Sequence, residues 1–162
     1  MDSRSNNSGT FIIIGASGDI GSGVARQLVG KGNKVVLAAR PSEHLNSLAE
    51  ELDAPKYELD ATDISQVAGC FKEAGEQFGM LDGAVNCVGS VLLKPAHLTS
   101  EDEWHDTIAT NLTSAFAMVR AAGKTMSKTG GSLVLMSSAA ARIGLPSHEA
   151  IAAAKAGVIG LA

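Results

Sequence analysis

The sequence predicts an α/β domain in which helices cover both faces of a doubly wound parallel sheet. Short apolar runs, rich in β-branched residues, alternate along the chain with segments of helical period. Runs that are apolar almost throughout are typical of strands buried on both faces, and their alternation with helices requires crossover connections instead of hairpins. The chain has 162 residues, 45% of them hydrophobic, which is enough for one compact domain with a core.

Five strands and five helices are expected in alternation. The strands begin with TFIIIG and KVVLAA, and they cover residues 10–15, 34–39, 56–60, 81–87 and 132–137. The helices, of which the last lies in an alanine-rich segment that favours helix, cover residues 20–31, 42–52, 64–78, 100–128 and 147–161. The folded domain therefore extends over 10–162, and the polar residues 1–9 are expected to form a disordered lead-in.

The longest predicted helix has its own start signal and an apolar stripe. Ser100 followed by Glu103 predicts a capping box, in which side chains and backbone donors satisfy each other. Asn111 lies on the side of the stripe, where a polar amide needs partners, so it is either a structural hydrogen-bonding node or part of a site. The stripe, which is expected to be buried, consists of Trp104, Ile108, Leu112, Ala115, Phe116, Val119, Ala122 and Met126.

Composition argues against several classes of protein. A formal net charge of −4 and an aromatic content of 4% do not suit a nucleic-acid binder. The longest apolar run, Phe11 to Ile14, is far shorter than the ~20 residues of a membrane span, and no charged-then-apolar leader precedes it. A membrane or secreted protein is therefore disfavoured. Cys70 and Cys87 lack metal-ligand spacing and a disulfide framework, so no metal site is expected and a cytoplasmic, reducing compartment is favoured.

A glycine-rich segment, Gly15 to Gly23, joins the first strand to the first helix. Glycines permit a tight turn and let backbone N–H groups approach a pyrophosphate, whose charge is favoured by the positive end of the helix. The alternative is a glycine-rich turn that binds nothing. Dinucleotide binding is favoured, and the candidate residues in this segment are Gly15, Ser17, Gly18, Ile20 and Gly21.

The ends of the second and third strands predict the preferred cofactor. An acidic residue after the second strand would bind the ribose 2′-hydroxyl of NAD, but this strand ends in Arg40 and no carboxylate precedes Glu43. A guanidinium suits a phosphate, and the Ser17 hydroxyl would add a donor, so NADP is preferred over NAD. Arg40 would otherwise be a solvated loop residue. Asp60, followed by Ala61, could meet the adenine or cap the next helix.

Together these residues resemble the short-chain dehydrogenase/reductase family, from about residue 10 to the last residue. The resemblance implies a Rossmann-type, three-layer α/β/α fold and hydride transfer between NADP(H) and a small carbonyl or alcohol substrate. It also implies a homodimer or homotetramer formed through the long helix and the last helix. The features that carry it are the loop Gly15 to Gly21, Asp60 in LDATD, Asn86-Cys87-Val88-Gly89, Asn111 in Thr110-Asn111-Leu112, Ser138 in VLMSS, and Lys155.

The resemblance places the family's catalytic Asn, Ser, Tyr and Lys at Asn111, Ser138, position 151 and Lys155. Asn86, Gly89 and Lys155 would also contact the cofactor. Position 151 is isoleucine, and Tyr57 is the single tyrosine of the chain. His148 is a candidate proton donor, because it shares a helical stripe with Ile151 and Lys155 and imidazole titrates near neutral pH. It could instead lie exposed in the first helical turn, and a water bound by Ser138 or Lys155 is a third route.

Two further departures from the family open a second hypothesis. Asp19 stands where the common Gly-x-x-x-Gly-x-Gly pattern has its middle glycine, and it would repel pyrophosphate unless it turns away to cap the helix. Family members are usually longer, so the domain is expected to be incomplete at its C-terminus, truncated after the fifth strand and its helix. That strand would be an open apolar edge. The alternative function is a catalytically silent NADP(H)-binding sensor or assembly subunit.

Overall fold

The computed structural model describes residues 8–162, which form a five-stranded parallel sheet between two layers of helices. The sheet has the order β3-β2-β1-β4-β5, so the chain runs outward from β1 to one edge and then crosses back to continue on the other side. This order confirms the doubly wound prediction, and its reversal lies between β1 and β4. The strands are β1 (Thr10–Ile14), β2 (Lys34–Ala39), β3 (Lys56–Glu58), β4 (Gly83–Asn86) and β5 (Ser132–Leu135).

The helices agree with prediction in place and largely in length, apart from the longest. They are α1 (Asp19–Gly30), α2 (Glu43–Leu52), α3 (Ile64–Phe78), α4 (Glu101–Ile108), α5 (Ser114–Thr125) and α6 (Glu149–Leu161). The predicted lead-in falls mainly on residues 1–7, outside the described residues. Gly9 is joined to the sheet, because its carbonyl accepts a hydrogen bond from Lys34 N (2.9 Å).

Alternating side chains of the central strand enter two separate cores. Ile13 is fully buried against β2 and α2, in a cluster that includes Leu37 and Leu45. Ile12 and Ile14 point to the opposite face, where α3 and α5 contribute Phe71, Met118 and other apolar side chains. Because both faces of β1 are covered, its sequence is apolar at every position after Thr10, as expected for a central parallel strand.

The long predicted helix consists of α4 and α5, which are joined without a break by a π-helical turn over Ala109–Thr113. The capping box of Ser100 and Glu103 at its start is confirmed. The predicted buried stripe is wrong in part, because Trp104 and Phe116 are 41% and 43% exposed. The side that faces the domain carries small and polar residues instead, and the wide turn rotates α5 relative to α4. The buried residues are Thr107, Asn111, Ser114, Ala115, Ala117, Met118, Ala121, Ala122 and Met126.

Strand β5 forms one edge of the sheet. Within residues 8–162 it pairs with β4 alone, and Leu133 and Val134 are exposed. The structure therefore agrees with the predicted open apolar edge. Among the same residues, every helix is too short or too polar to cross a bilayer.

Candidate functional site

A cleft of about 730 Å³ opens along the carboxyl ends of the parallel strands. Its floor lies between β1 and β4, where the strand order reverses, which is the usual ligand position in open α/β sheets. The cleft brings together most of the residues that the sequence predicts for a cofactor, namely Gly15, Ser17, Gly18, Arg40, Asp60, Ala61 and Gly89.

The glycine turn after β1 is held by backbone contacts that leave no room for a side chain. Gly15 has a φ of +83°, and its N–H donates to the carbonyl of Ala38 (2.7 Å). A Cβ at Gly21 would collide with the Gly15 carbonyl oxygen and would lie 2.9 Å from Ala16 Cα. The turn therefore requires glycine at both positions, and it presents its backbone to the cleft.

The first turn of α1 has no side-chain cap from the described residues. Gly18 occupies the N-cap position, and Asp19 is the first helical residue, with its side chain exposed. The expectation that Asp19 caps this helix is therefore wrong, because a carboxylate at the first helical position points away from the amides that a cap must reach. The first N–H groups of a helix lack intrahelical partners, so an anion in the cleft can accept from them.

Arg40 and Asp60 lie together at one end of the cleft. Asp60 Oδ1 accepts from the N–H and from the hydroxyl of Thr62, both at 2.8 Å, and these bonds hold the Asp60 pKa below its usual value. The Arg40 charge lowers this pKa further. The alternative role of Asp60 as the cap of α3 is wrong, because Asp63 accepts from the helix amides of Ser65 and Gln66. Among the described residues, Arg40 forms no ion pair.

At the other end of the cleft, Asn111 fastens the loop after β4 to the π-helical turn. Its Nδ2 donates to Ser90 Oγ and to the Thr107 carbonyl, both at 3.0 Å, and its Oδ1 accepts from Ser90 N at 3.1 Å. Asn111 is 1% exposed. It is therefore a structural node, whichever further role it has.

Lys155 approaches Asn111 around Gly89. A Cβ at Gly89 would lie 3.2 Å from Asn111 Oδ1 and 3.6 Å from Lys155 Nζ, so both groups are neighbours of this glycine. Lys155 is 8% exposed, its Nζ donates to the Met136 carbonyl (2.9 Å), and burial lowers its pKa. The segment that follows β5 is also joined to α6 by Ser137, whose hydroxyl donates to the Lys155 carbonyl (2.9 Å).

The remaining predicted residues lie outside the cleft lining. Ser138 is exposed, and its Oγ accepts from Ala140 N (3.2 Å). His148 is the N-cap residue of α6 and is partly exposed, with Nδ1 2.8 Å from the Pro146 carbonyl oxygen. Ile151 is buried. Asn86 supports the loop after β4, because its Oδ1 accepts from Val88 N (2.9 Å) and its Nδ2 donates to Ser114 Oγ (3.2 Å). Ile20 is exposed beside the glycine turn.

Sequence reasoning missed one wall of the cleft. Cys87 was not among the predicted site residues, yet it lines the cleft, and burial raises the pKa of its thiol. Other lining residues were also missed, and the available signal for them was proximity in sequence to Gly89 or to Asn111. They include Ser90, Val91, Leu92, Glu103, Asp106, Thr107 and Thr110.

Comparison with known proteins identifies the chain's relatives. A family model described as enoyl-(acyl carrier protein) reductase matches residues 15–162. The chain is 32% identical to D-threitol dehydrogenase of Mycolicibacterium smegmatis, covering 93% of this chain and 60% of that protein. It is also 32% identical to the 3-oxoacyl-[acyl-carrier-protein] reductase FabG of Staphylococcus aureus, covering 93% of this chain and 64% of that one. The chain thus spans less than two thirds of the length of these relatives.

The chain is also similar to solved structures of dehydrogenases. An alcohol dehydrogenase from the archaeon Thermococcus sibiricus, complexed with 5-hydroxy-NADP, superposes with a TM-score of 0.90 at 27% identity, covering 96% of this chain and 68% of that one. A short-chain dehydrogenase from Mycobacterium smegmatis gives a TM-score of 0.90 at 27% identity, with 96% and 67% coverage. The chain belongs to the short-chain dehydrogenase/reductase family.

Proposed function

We propose that the chain carries the cofactor-binding part of an NADP-dependent oxidoreductase, which transfers hydride between NADP(H) and a carbonyl or alcohol. One observation carries the proposal. A single cleft leads from Arg40, past the backbone of Gly15 and Gly18, to Gly89 beside Asn111 and Lys155. Its chemistry suits a dinucleotide, because a cation lies at one end, backbone donors lie in the middle and a buried lysine lies near the other end.

Each part of the cleft has a role in this proposal. The amides of the glycine turn hold the diphosphate, Arg40 and Ser17 hold the 2′-phosphate, and Asp60 with Ala61 meets the adenine. Asn86 and Gly89 shape the far end, where Lys155 would meet the nicotinamide ribose and Ile20 would border the ring. When bound, the nicotinamide supplies or accepts the hydride.

The preference for NADP follows from Arg40, which forms no ion pair among the described residues and opens onto the cleft. The complex of the Thermococcus sibiricus relative with 5-hydroxy-NADP supports it. Titration with NADPH and NADH should give tighter binding of NADPH, and Arg40→Ala should remove most of the difference. Equal affinities for the two cofactors before and after the substitution would refute the NADP assignment.

Proton transfer is the open part of the mechanism, because Ile151 cannot exchange a proton with the substrate. His148 precedes Ile151 by one helical turn at the start of α6. Ser138 would hold the substrate oxygen, and Asn111 with Lys155 would order a water. If His148 is the proton source, His148→Ala should lower carbonyl reduction with NADPH. Unchanged turnover would exclude that role.

A catalytically silent NADP(H)-binding module is the second candidate. Ile151, which the family resemblance places at the position of the catalytic tyrosine, is buried, and Lys155 Nζ and Ser138 Oγ are engaged with backbone atoms. Ile151→Tyr separates the two candidates. Since positioned proton transfer contributes about 10²- to 10⁴-fold, a gain of that size indicates a catalytic site that lacks one group. Tight NADPH binding without a gain supports the silent module.

The remaining assignments concern substrate, assembly and compartment. The relatives are named for a sugar alcohol and a 3-oxoacyl group, and the shared class is a hydroxyl or carbonyl carbon. A homodimer or homotetramer through α4, α5 and α6 would cover the exposed Trp104, Phe116 and Ile159. A cytoplasmic location is consistent with the free thiols of Cys70 and Cys87. Light scattering of the purified chain tests the assembly.

A further inference from the structure

The loop after β4, residues 87–95, forms one wall of the cleft and is named here the cleft loop. Cys87 to Leu92 line the cleft, together with residues of α4 and the π-helical turn, Glu103 and Thr110 among them. This part of the cleft lies next to Gly89 and Asn111. It is therefore the end of the cleft opposite Arg40.

Two anchors hold the cleft loop. The first is Ser90, which is bonded to Asn111 as described above. The second is Lys94, whose backbone N–H donates to the Ser147 carbonyl (2.8 Å) and whose Nζ donates to both carboxylate oxygens of Glu103 (2.9 and 2.8 Å). Between the anchors, Val91 and Leu93 are exposed. The position of this wall thus depends on Ser90 and Lys94.

The ion pair of Lys94 and Glu103 is the least exposed of the ion pairs within residues 8–162. Both of its side chains are 35% exposed, against 37% and 47% for Lys56 and Glu58 and 75% and 65% for Lys72 and Glu76. Glu103 is also fixed by the capping box, since its Oε2 accepts from Ser100 N (2.8 Å). The Lys94 ammonium is therefore bound to a carboxylate whose own position is restrained by the capping box.

Lys94 also reaches the segment that leads into α6. Ser147, which accepts from the Lys94 N–H, has a φ of +61°, a left-handed conformation that a non-glycine residue keeps only when its surroundings hold it. One residue therefore ties the cleft loop both to the first turn of α4 and to the residue preceding His148.

We propose that Lys94 is a positioning residue, which fixes the cleft loop against α4 and thereby fits that end of the cleft to the nicotinamide half of the cofactor. The proposal rests on the proposed function for the identity of the ligand. It does not require that the chain be catalytically active.

Lys94→Met tests the proposal with two ligands, NADPH and the fragment adenosine 2′,5′-bisphosphate, which lacks both the nicotinamide and its ribose. We expect NADPH to bind about fivefold more weakly, the effect of one partly shielded ion pair, while the fragment binds as before. Lys94→Arg should restore NADPH binding to near the wild-type value, because a guanidinium can also donate to both oxygens of Glu103. The matched control, Lys72→Met, removes an exposed ion pair far from the cleft and should change neither affinity.

Glu103→Gln removes the charge of the partner, while glutamine can still accept in the capping box. It should weaken NADPH binding as much as Lys94→Met does. The double variant should lose little further affinity, because the two changes break the same ion pair. Equal losses for NADPH and the fragment, or no loss for NADPH in Lys94→Met, would overturn the proposal.

A measurement without ligand separates this proposal from the proposed function. If the wild-type chain binds neither ligand, the proposed function fails, and amide hydrogen exchange then tests the anchor alone. The N–H groups of residues 90 and 94 are both hydrogen-bonded in the cleft loop. They should exchange faster in Lys94→Met than in Lys72→Met, and equal rates would contradict the role of Lys94.

Discussion

The two ends of the cleft are built differently. At the end nearer Arg40, the binding surface is backbone: a glycine turn between β1 and α1 that no larger residue could form, next to a cation in no ion pair among the described residues. At the end nearer Lys155, the surface depends on side chains from distant elements. There, Asn111 Nδ2 and Lys155 Nζ donate to neighbouring groups of the protein, and Ile151 is buried.

This difference indicates that the two ends of the cleft have separate structural requirements. The end nearer Arg40 needs one strand, one turn and one helix, all adjacent in sequence. The end nearer Lys155 needs residues from the loop after β4, the π-helical turn, the segment after β5 and α6 to come together. We therefore expect substitutions in the glycine turn to act on binding as a whole, and substitutions at the other end to have smaller, local effects.

The largest effect is expected for Gly21→Ala. The new methyl group would meet only backbone, at Gly15 and at Ala16 Cα, 2.9 Å away, so the turn itself must move. We expect the free energy of unfolding to fall by about 3 kcal/mol, the upper range for overpacking, and NADPH binding to be lost. Gly23→Ala, two residues along α1, is the control.

A methyl group at Gly23 has no neighbour within 4 Å. Alanine is the better helix former by about 1 kcal/mol, so this variant should be more stable than wild type and should bind NADPH normally. Chemical denaturation and fluorescence titration measure both quantities. A Gly21→Ala variant that binds NADPH as tightly as Gly23→Ala would show that the turn does not touch the cofactor.

The second prediction uses the two cysteines as reporters of occupancy. Cys87 lines the cleft, whereas Cys70 is fully buried and burial raises its pKa to about 12. With NADPH at about ten times its Kd, maleimide labelling of Cys87 at mildly alkaline pH should slow by about tenfold, because labelling then occurs only in the free fraction. Cys70 should remain unlabelled until the protein unfolds. Mass spectrometry of peptides distinguishes the two, and unprotected Cys87 would argue against a ligand in the cleft.

The third prediction concerns the buried ammonium of Lys155. Burial lowers its folded pKa below the ordinary lysine value of 10.5, so the unfolded chain binds more protons between these two values. The free energy of unfolding should therefore rise with pH in this alkaline window, by at most about 1.4 kcal/mol per pH unit for one proton.

Lys155→Met, of similar length, should abolish that rise relative to wild type and should be at least as stable at neutral pH. Urea denaturation of both proteins across the window measures the difference. If the two curves run parallel, Lys155 keeps its ordinary pKa in the folded state.

The smallest effect is expected for Asp19→Asn. Asp19 is exposed in the first turn of α1 beside the proposed diphosphate position, so loss of its charge should tighten NADPH binding by about threefold at low salt and less at high salt. Glu43→Gln is the matched control, since Glu43 lies in the first turn of α2, outside the cleft. Both changes should cost about 0.3–1 kcal/mol of stability through the helix dipole. Equal affinity changes in the two variants would contradict the placement of the diphosphate.

The same contrast explains which features the sequence could predict. The sheet and the glycine turn depend on local patterns, so β1, the turn and α1 were predicted almost to the residue. The orientation of the long helix was not, because the π-helical turn at Ala109–Thr113 has no simple sequence signal and alters which side is buried. Trp104 and Phe116 were consequently assigned to the core, although both are exposed.

The site shows the same division. Arg40 and Asp60 were both predicted from their places after the second and third strands, since strand ends of a parallel sheet meet at one edge. The bonds of Asn111 to Ser90, and of Lys94 to Glu103 and Ser147, join segments distant in sequence and depend on the tertiary fold. Residues whose role depends on such contacts cannot be identified by spacing alone.

The most direct test of dinucleotide binding is an NMR titration of isotope-labelled protein with NADPH, followed through assigned backbone amides. We expect the signals of Gly15, Ser17 and Gly18 to move in a saturable way, because their backbone lies against the diphosphate, while Gly130 and Gly131, outside the cleft lining, stay in place. Glycine-turn signals that stay in place at saturating NADPH, or that move no more than those of Gly130 and Gly131, would contradict the proposal that this turn holds a dinucleotide.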